Sequence, residues 1–215
     1  MNELIGFDRT PVATVVFIIT IGISLMALYG RNNLIDRMIL HPASFFRKKQ
    51  YYTIISSGLI HADLMHLLFN MLSFYFFAFL LEATMRFESG NPPLGSLQFF
   101  VIYFASMALA DIPSLAKNRH NYGYRSLGAS GAISAVIFSS ILYYPENKIG
   151  LIFFPMGIPA PIFAVLYLAY CHFAARRAQD NINHDAHMYG AISGVVLTAV
   201  MSPGVLQSFI EKVFG

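Results

Sequence analysis

The charged residues of this chain fall in clusters, and long apolar intervals separate them. No Asp, Glu, Lys or Arg occurs between Arg9 and Arg31, Asp63 and Glu82, Glu88 and Asp111, Arg125 and Glu146, Lys148 and Arg176, or Asp185 and Glu211. Each interval holds about 18–27 residues, the length a helix needs to cross a hydrocarbon core of about 30 Å. Backbone groups in lipid must bond within their own segment, which favours helix. The runs are too long and too uniform for membrane strands. The pattern predicts an all-α, polytopic bundle of six transmembrane helices, forming a single domain over residues 1–215, with no internal repeat or low-complexity tract.

The intervening segments refine this picture. The uncharged stretch Gln50–Ile60 is too short to span and follows the basic cluster Arg47-Lys48-Lys49. It suits an interfacial or re-entrant piece of a long, partly membrane-embedded first loop over about residues 31–60. The remaining connections (82–95, 111–125, 145–148 and 176–185) are short. Asn91-Pro92-Pro93 breaks the chain before span three, and Pro155, Pro159 and Pro161 predict a bent or broken start to span five. Phe74–Phe79 reads as a lipid-facing surface.

Composition supports a lipid solvent. Only 12% of residues are charged and 56% are hydrophobic, where a soluble domain carries about 25% charge. A net charge of +3 without a basic stripe gives no reason to expect nucleic acid. The first apolar run exceeds a signal-peptide core and lacks a basic leader with a small-residue cleavage site, so a retained span is expected. Cys171 is the single cysteine and says nothing of redox compartment.

Polar side chains inside spans are expensive and therefore point to function. Span two opens with His61, Asp63, His66 and Asn70, and the last two share a helix face. Span four opens with Gly128-Ala129-Ser130-Gly131, and span six with His187, Gly190 and Gly194. With spans alternating in direction, these three starts lie on one side of the membrane at similar depth. A serine is a weak nucleophile until a base takes its proton, and Ser130 with His187 supplies that pair. Gly131 with Ala135, and Gly190 with Gly194, form small-residue ridges that let two helices approach closely. His66 and Asn70 side chains, with the Ser130 backbone N–H, are candidate donors to an oxyanion. The sequence thus points to acyl transfer.

These residues resemble the rhomboid intramembrane serine proteases. The resemblance rests on His61-Ala62-Asp63-Leu64-Met65-His66-Leu67-Leu68-Phe69-Asn70, on Gly128-Ala129-Ser130-Gly131, and on Ala186-His187-Met188-Tyr189-Gly190-Ala191-Ile192-Ser193-Gly194, and it covers roughly residues 51–194. It implies a Ser130–His187 dyad without aspartate and an oxyanion hole from His66 and Asn70. His61, Gly128, Gly131, Gly190 and Gly194 would serve as structural support. Substrates would be single-pass membrane proteins cut in or near their transmembrane segment, entering from the bilayer between spans two and five past a mobile loop between spans five and six. No cofactor and no metal are implied.

Two positions depart from the family pattern. Tyr52-Thr53 stands where many members carry Trp-Arg, and Ser134 stands where an aromatic often stacks on the catalytic histidine. The loops on the site's side carry most of the basic residues, which by the positive-inside rule places the site toward the cytoplasm. The resemblance instead implies a bacterial inner-membrane protein with its site outside and both termini inside, and that is the arrangement expected. Three rival readings remain. One is a silent rhomboid-like factor that binds membrane clients. Another is a proton-coupled transporter, disfavoured by the lack of repeat symmetry. The third is a zinc protease on His184 and His187, disfavoured by the lack of a His-Glu-x-x-His motif.

Overall fold

The computed structural model describes residues 6–30, 33–151, 154–177 and 182–215. The described chain is mostly helical. Helix α1 (Pro11–Tyr29) leads into a first loop containing α2 (Leu34–Met38), α3 (Pro42–Arg47), α4 (Thr53–Ser56) and a 3-10 turn (Ser57–Leu59). Then come α5 (Leu64–Glu88), α6 (Pro92–Lys117) and α7 (Ser130–Tyr143), a two-stranded ribbon of β1 (Lys148–Leu151) and β2 (Phe154–Pro159), α8 (Ala160–Arg177), α9 (His184–Met201) and α10 (Gly204–Phe214). Each uncharged interval coincides with most of one of α1, α5, α6, α7, α8 and α9. Of these, α1, α5 and α6 are long and apolar enough to cross a membrane, and α9 with α10 makes a fourth if that pair, bent by 112°, counts as one span.

Charges do not mark where a helix ends, and several elements depart from the plain intervals, the start of span five being broken as its prolines predict. The start of span five is an antiparallel ribbon, Lys148 pairing with Pro159 and Ile149 with Ile158. Proline inside a helix removes a hydrogen bond and clashes with the preceding turn, so α8 begins only at Ala160, after Pro159. The last interval breaks at Ser202-Pro203, between α9 and α10. The fourth helix has only 14 residues, about 21 Å at 1.5 Å per residue. Finally, α5 runs past Glu82 to Glu88, and Glu82 is fully buried.

Glu82 explains itself through α1. Its carboxylate accepts the backbone N–H groups of Ala13 at 2.7 Å and Val12 at 3.2 Å, in the first turn of α1. It also accepts the Ser96 hydroxyl at 2.6 Å, and Ser96 accepts from Arg86 at 2.6 Å. Orphan N–H groups and the positive end of a helix dipole favour an anion there. The phenylalanine stretch is likewise two-sided: Phe74 and Phe79 are buried against Phe17 and Tyr103, whereas Tyr75 and Phe76 face outward.

Nearly all of α7 is buried, and α9 lies directly against it. A Cβ on Gly190 would overlap the Gly131 carbonyl, and one on Gly194 would overlap the Ala135 carbonyl. The glycines therefore set the approach of α7 and α9. Ser139 donates to the Gly194 carbonyl at 3.2 Å and accepts from Thr198 at 2.8 Å, adding polar contacts across the same seam.

The first loop is fastened despite the Tyr52-Thr53 departure. Leu40 and Ser126 exchange two backbone hydrogen bonds of 3.0 Å, Ser56 donates to the Met38 carbonyl at 3.0 Å, and the Gly128 N–H donates to the Ser57 carbonyl at 2.9 Å. Thr53 is buried and donates to the Gln50 carbonyl at 2.6 Å.

Candidate active site

The N-terminal ends of α5, α7 and α9 meet at one end of the bundle. Ser130 is the first residue of α7, where the backbone N–H groups have no partner within the helix. His187 lies in the first turn of α9. Its Nε2 is 2.7 Å from the Ser130 Oγ. Both side chains are half-buried.

The start of α9 is held by α6. Asn183 caps α9 by accepting the Ala186 N–H at 3.0 Å. Its side chain accepts from Ser114 at 3.0 Å and donates to Ser126 at 3.1 Å. Lys117 grips both carboxylate oxygens of Asp185 at 2.7 and 2.8 Å. These contacts locate the turn that carries His187.

His66 is placed by the Asp63 cap, which accepts the His66 N–H at 2.8 Å. Its ring packs on Gly128. There φ is +111°, a conformation that side-chain-bearing residues avoid, and a Cβ would sit 2.7 Å from the His66 Cε1 and 2.8 Å from its Nε2. The imidazole therefore lies against the backbone just before Ser130. Asn70 is buried one turn on, and its amide donates to the His66 carbonyl at 2.9 Å. One of its N–H groups is thus engaged within α5.

His61 sits behind this group, fully buried. Its Nδ1 is 2.8 Å from the Ser24 hydroxyl, which itself donates to the Leu59 carbonyl at 3.0 Å. Its Nε2 accepts the Ala129 N–H at 3.4 Å. That pattern requires a neutral ring protonated on Nδ1. The residue ties α1 and the first loop to the turn before Ser130.

The aromatic partner of His187 comes from α8 and not from α7. Tyr167 of α8 stacks on His187, with ring centroids 6.5 Å apart and planes 19° apart. Its hydroxyl is 2.7 Å from the Ser134 hydroxyl. The small residue four positions after Ser130 thus makes room for a ring arriving from another helix and anchors it. The segment expected to form a mobile loop between α8 and α9 falls largely on residues outside those described.

A model of the rhomboid domain matches residues 48–204 of the chain. The RHOMBOID-like protein 12, mitochondrial, of Arabidopsis thaliana is 27% identical over 170 residues, covering 74% of this chain and 49% of that protein. The Bacillus subtilis (strain 168) protein named "Putative rhomboid protease YdcA" is 28% identical over 151 residues, covering 69% of this chain and 66% of that one. The chain spans about half the length of the plant relative and about two-thirds of the bacterial one. With the domain matched across most of its length and apolar helices long enough to cross a bilayer, the chain is an integral membrane protein of the rhomboid family.

Proposed function

We propose that the protein is an intramembrane serine endopeptidase that cuts transmembrane segments of single-pass membrane proteins. The observation that carries this reading is the 2.7 Å contact between Ser130 Oγ and His187 Nε2, in side chains 57 residues apart in sequence. The Ser130 hydroxyl donates to His187 Nε2, and the oxygen attacks the scissile carbonyl as Nε2 takes the proton. The resulting oxyanion meets the first-turn N–H groups of α7, the positive end of that helix dipole and the His66 imidazole. The second amide N–H of Asn70 completes the set. As the C–N bond breaks, Nε2 returns the proton to the leaving amine. A water deprotonated by the same nitrogen then releases the acyl group from Ser130.

No carboxylate is needed to hold His187 in place under this reading, because Tyr167 fixes its plane and the Asn183 cap fixes its turn. At about 21 Å, α7 is shorter than a bilayer core. On this reading its N-terminus lies below the lipid surface, where substrate helices are. Entry is from the bilayer between α5 and α8.

Incubating the purified protein with a panel of single-pass substrates, with Ser130→Ala as control, tests the activity. We expect cleavage of at least one substrate and none by the variant. A folded wild-type protein that binds such substrates without cutting any would instead support a client-binding factor.

A further inference from the structure

Beside the Ser130–His187 pair lies a second chemical constellation. Cys171 of α8 and His184 and His187 of α9 offer three ligand atoms that all lie within 4.8 Å of one another. We propose that these three residues bind a thiophilic divalent cation such as Zn2+, and that its binding switches off the dyad. The inhibitory half of this proposal rests on the reading of His187 as general base. The metal half does not.

The donor set is one thiolate and two imidazoles, which suits zinc and disfavours magnesium or calcium. Zinc bonds of about 2.0–2.3 Å need ligand atoms about 3.5 Å apart, so small side-chain rotations close the site. Rigid helices present the ligands: Cys171 is 0% and His184 4% exposed, and His184 and His187 are three apart on one face of α9. The half-buried His187 is the side from which an ion enters. Asp185, between the two histidines, is turned away and held by Lys117 at 2.7 Å. A water would take the fourth position of a tetrahedral zinc. The site joins residues from two helices, so no contiguous metal motif marks it in the sequence.

Binding displaces the thiol proton of Cys171 to solvent and uses one lone pair of each imidazole. For His187 either nitrogen has the same consequence. If Nε2 ligates the ion, its lone pair is occupied. If Nδ1 does, the remaining ring proton sits on Nε2. In both cases Nε2 cannot accept the Ser130 proton, and hydrolysis stops until the ion leaves.

Two measurements on the purified full chain test this. Cobalt(II) titrated into the wild type should give a thiolate-to-cobalt charge-transfer band, absent in Cys171→Ala. Zn2+ should abolish fluorophosphonate labelling of Ser130, and a chelator should restore it. Cys171→Ala, which keeps Ser130 and His187, should label normally without zinc and require about ten- to a hundredfold more zinc for inhibition. His184→Gln should behave likewise, which guards against a folding effect of either substitution. The proposal is overturned by the lack of a band in the wild type, by a band that survives Cys171→Ala, by equal zinc sensitivity of all three proteins, or by a chelator that abolishes activity rather than restoring it. A Cys171-dependent band in a protein that never labels or cleaves would uphold the metal site and remove the protease reading alone.

Discussion

Ser134 and Tyr167 show how one missing feature is replaced at the level of single residues. An aromatic on α7 is traded for a hydroxyl that anchors an aromatic on α8, and the ring still reaches His187. Tyr167→Ala should therefore lower kcat about ten- to a hundredfold with little change in KM, since misorientation of a catalytic group by an ångström costs on that order. Tyr167→Phe, which keeps the ring and loses the anchor, should fall between. Wild-type turnover in Tyr167→Ala would remove the stack from the account. His61 gives a second residue-scale test: His61→Ala removes its contacts with both Ser24 and the Ala129 N–H, so it should lower the melting temperature in detergent, and an unchanged melting temperature would make that tie incidental. Ser130, His187, His66 and His61 were legible because a polar group in an apolar span stands out. Tyr167 was not, because in a chain with 20 Phe and 12 Tyr one more aromatic carries no signal. Cys171 and His184 were visible singly and became a constellation only once α8 and α9 were adjacent.

Elements were legible as intervals and not as helices. The charge pattern located six apolar segments, but it overran the ends of α7 and α9 and took Glu82 for a loop boundary. Only the contact with α1 shows why a carboxylate is buried there. Glu82→Gln should lower stability by about 1.5–3 kcal/mol, the range for hydrogen bonds to a charged group, read as a fall in melting temperature. An unchanged melting temperature would make the cap incidental. The α7–α9 seam makes a sharper claim. Gly190→Ala puts a Cβ onto the Gly131 carbonyl, so the helices must part and the Ser130–His187 distance must grow. Labelling of Ser130 should drop strongly in this variant. Gly204→Ala, where a Cβ meets nothing within 4 Å, should label like the wild type. Equal labelling of both would show that the glycine ridge does not set the distance.

Over the whole molecule, alternation of direction is what brings chemistry together. The starts of α5, α7 and α9 converge on Ser130. Their opposite ends are tied by Thr84 to Tyr144 at 2.8 Å and by Tyr143 to Ser202 at 2.8 Å. That arrangement follows from counting apolar intervals, and the sequence alone supports it. The fastening of the first loop does not follow from sequence, since it depends on backbone pairing such as Leu40 with Ser126. Orientation is the property on which charge and family pattern disagree. We expect a reporter fused after Gly215 to lie in the cytoplasm, opposite the mouth of the site, with the basic first loop folded against the bundle. A reporter on the far side would show that the positive-inside rule prevails. The central claim, that Ser130 is activated by His187, is tested most directly by an active-site fluorophosphonate applied to the detergent-purified protein. The account predicts a single covalent adduct on Ser130 that is lost in Ser130→Ala and greatly reduced in a folded His187→Ala variant. Undiminished labelling in His187→Ala, or an adduct elsewhere, would contradict it.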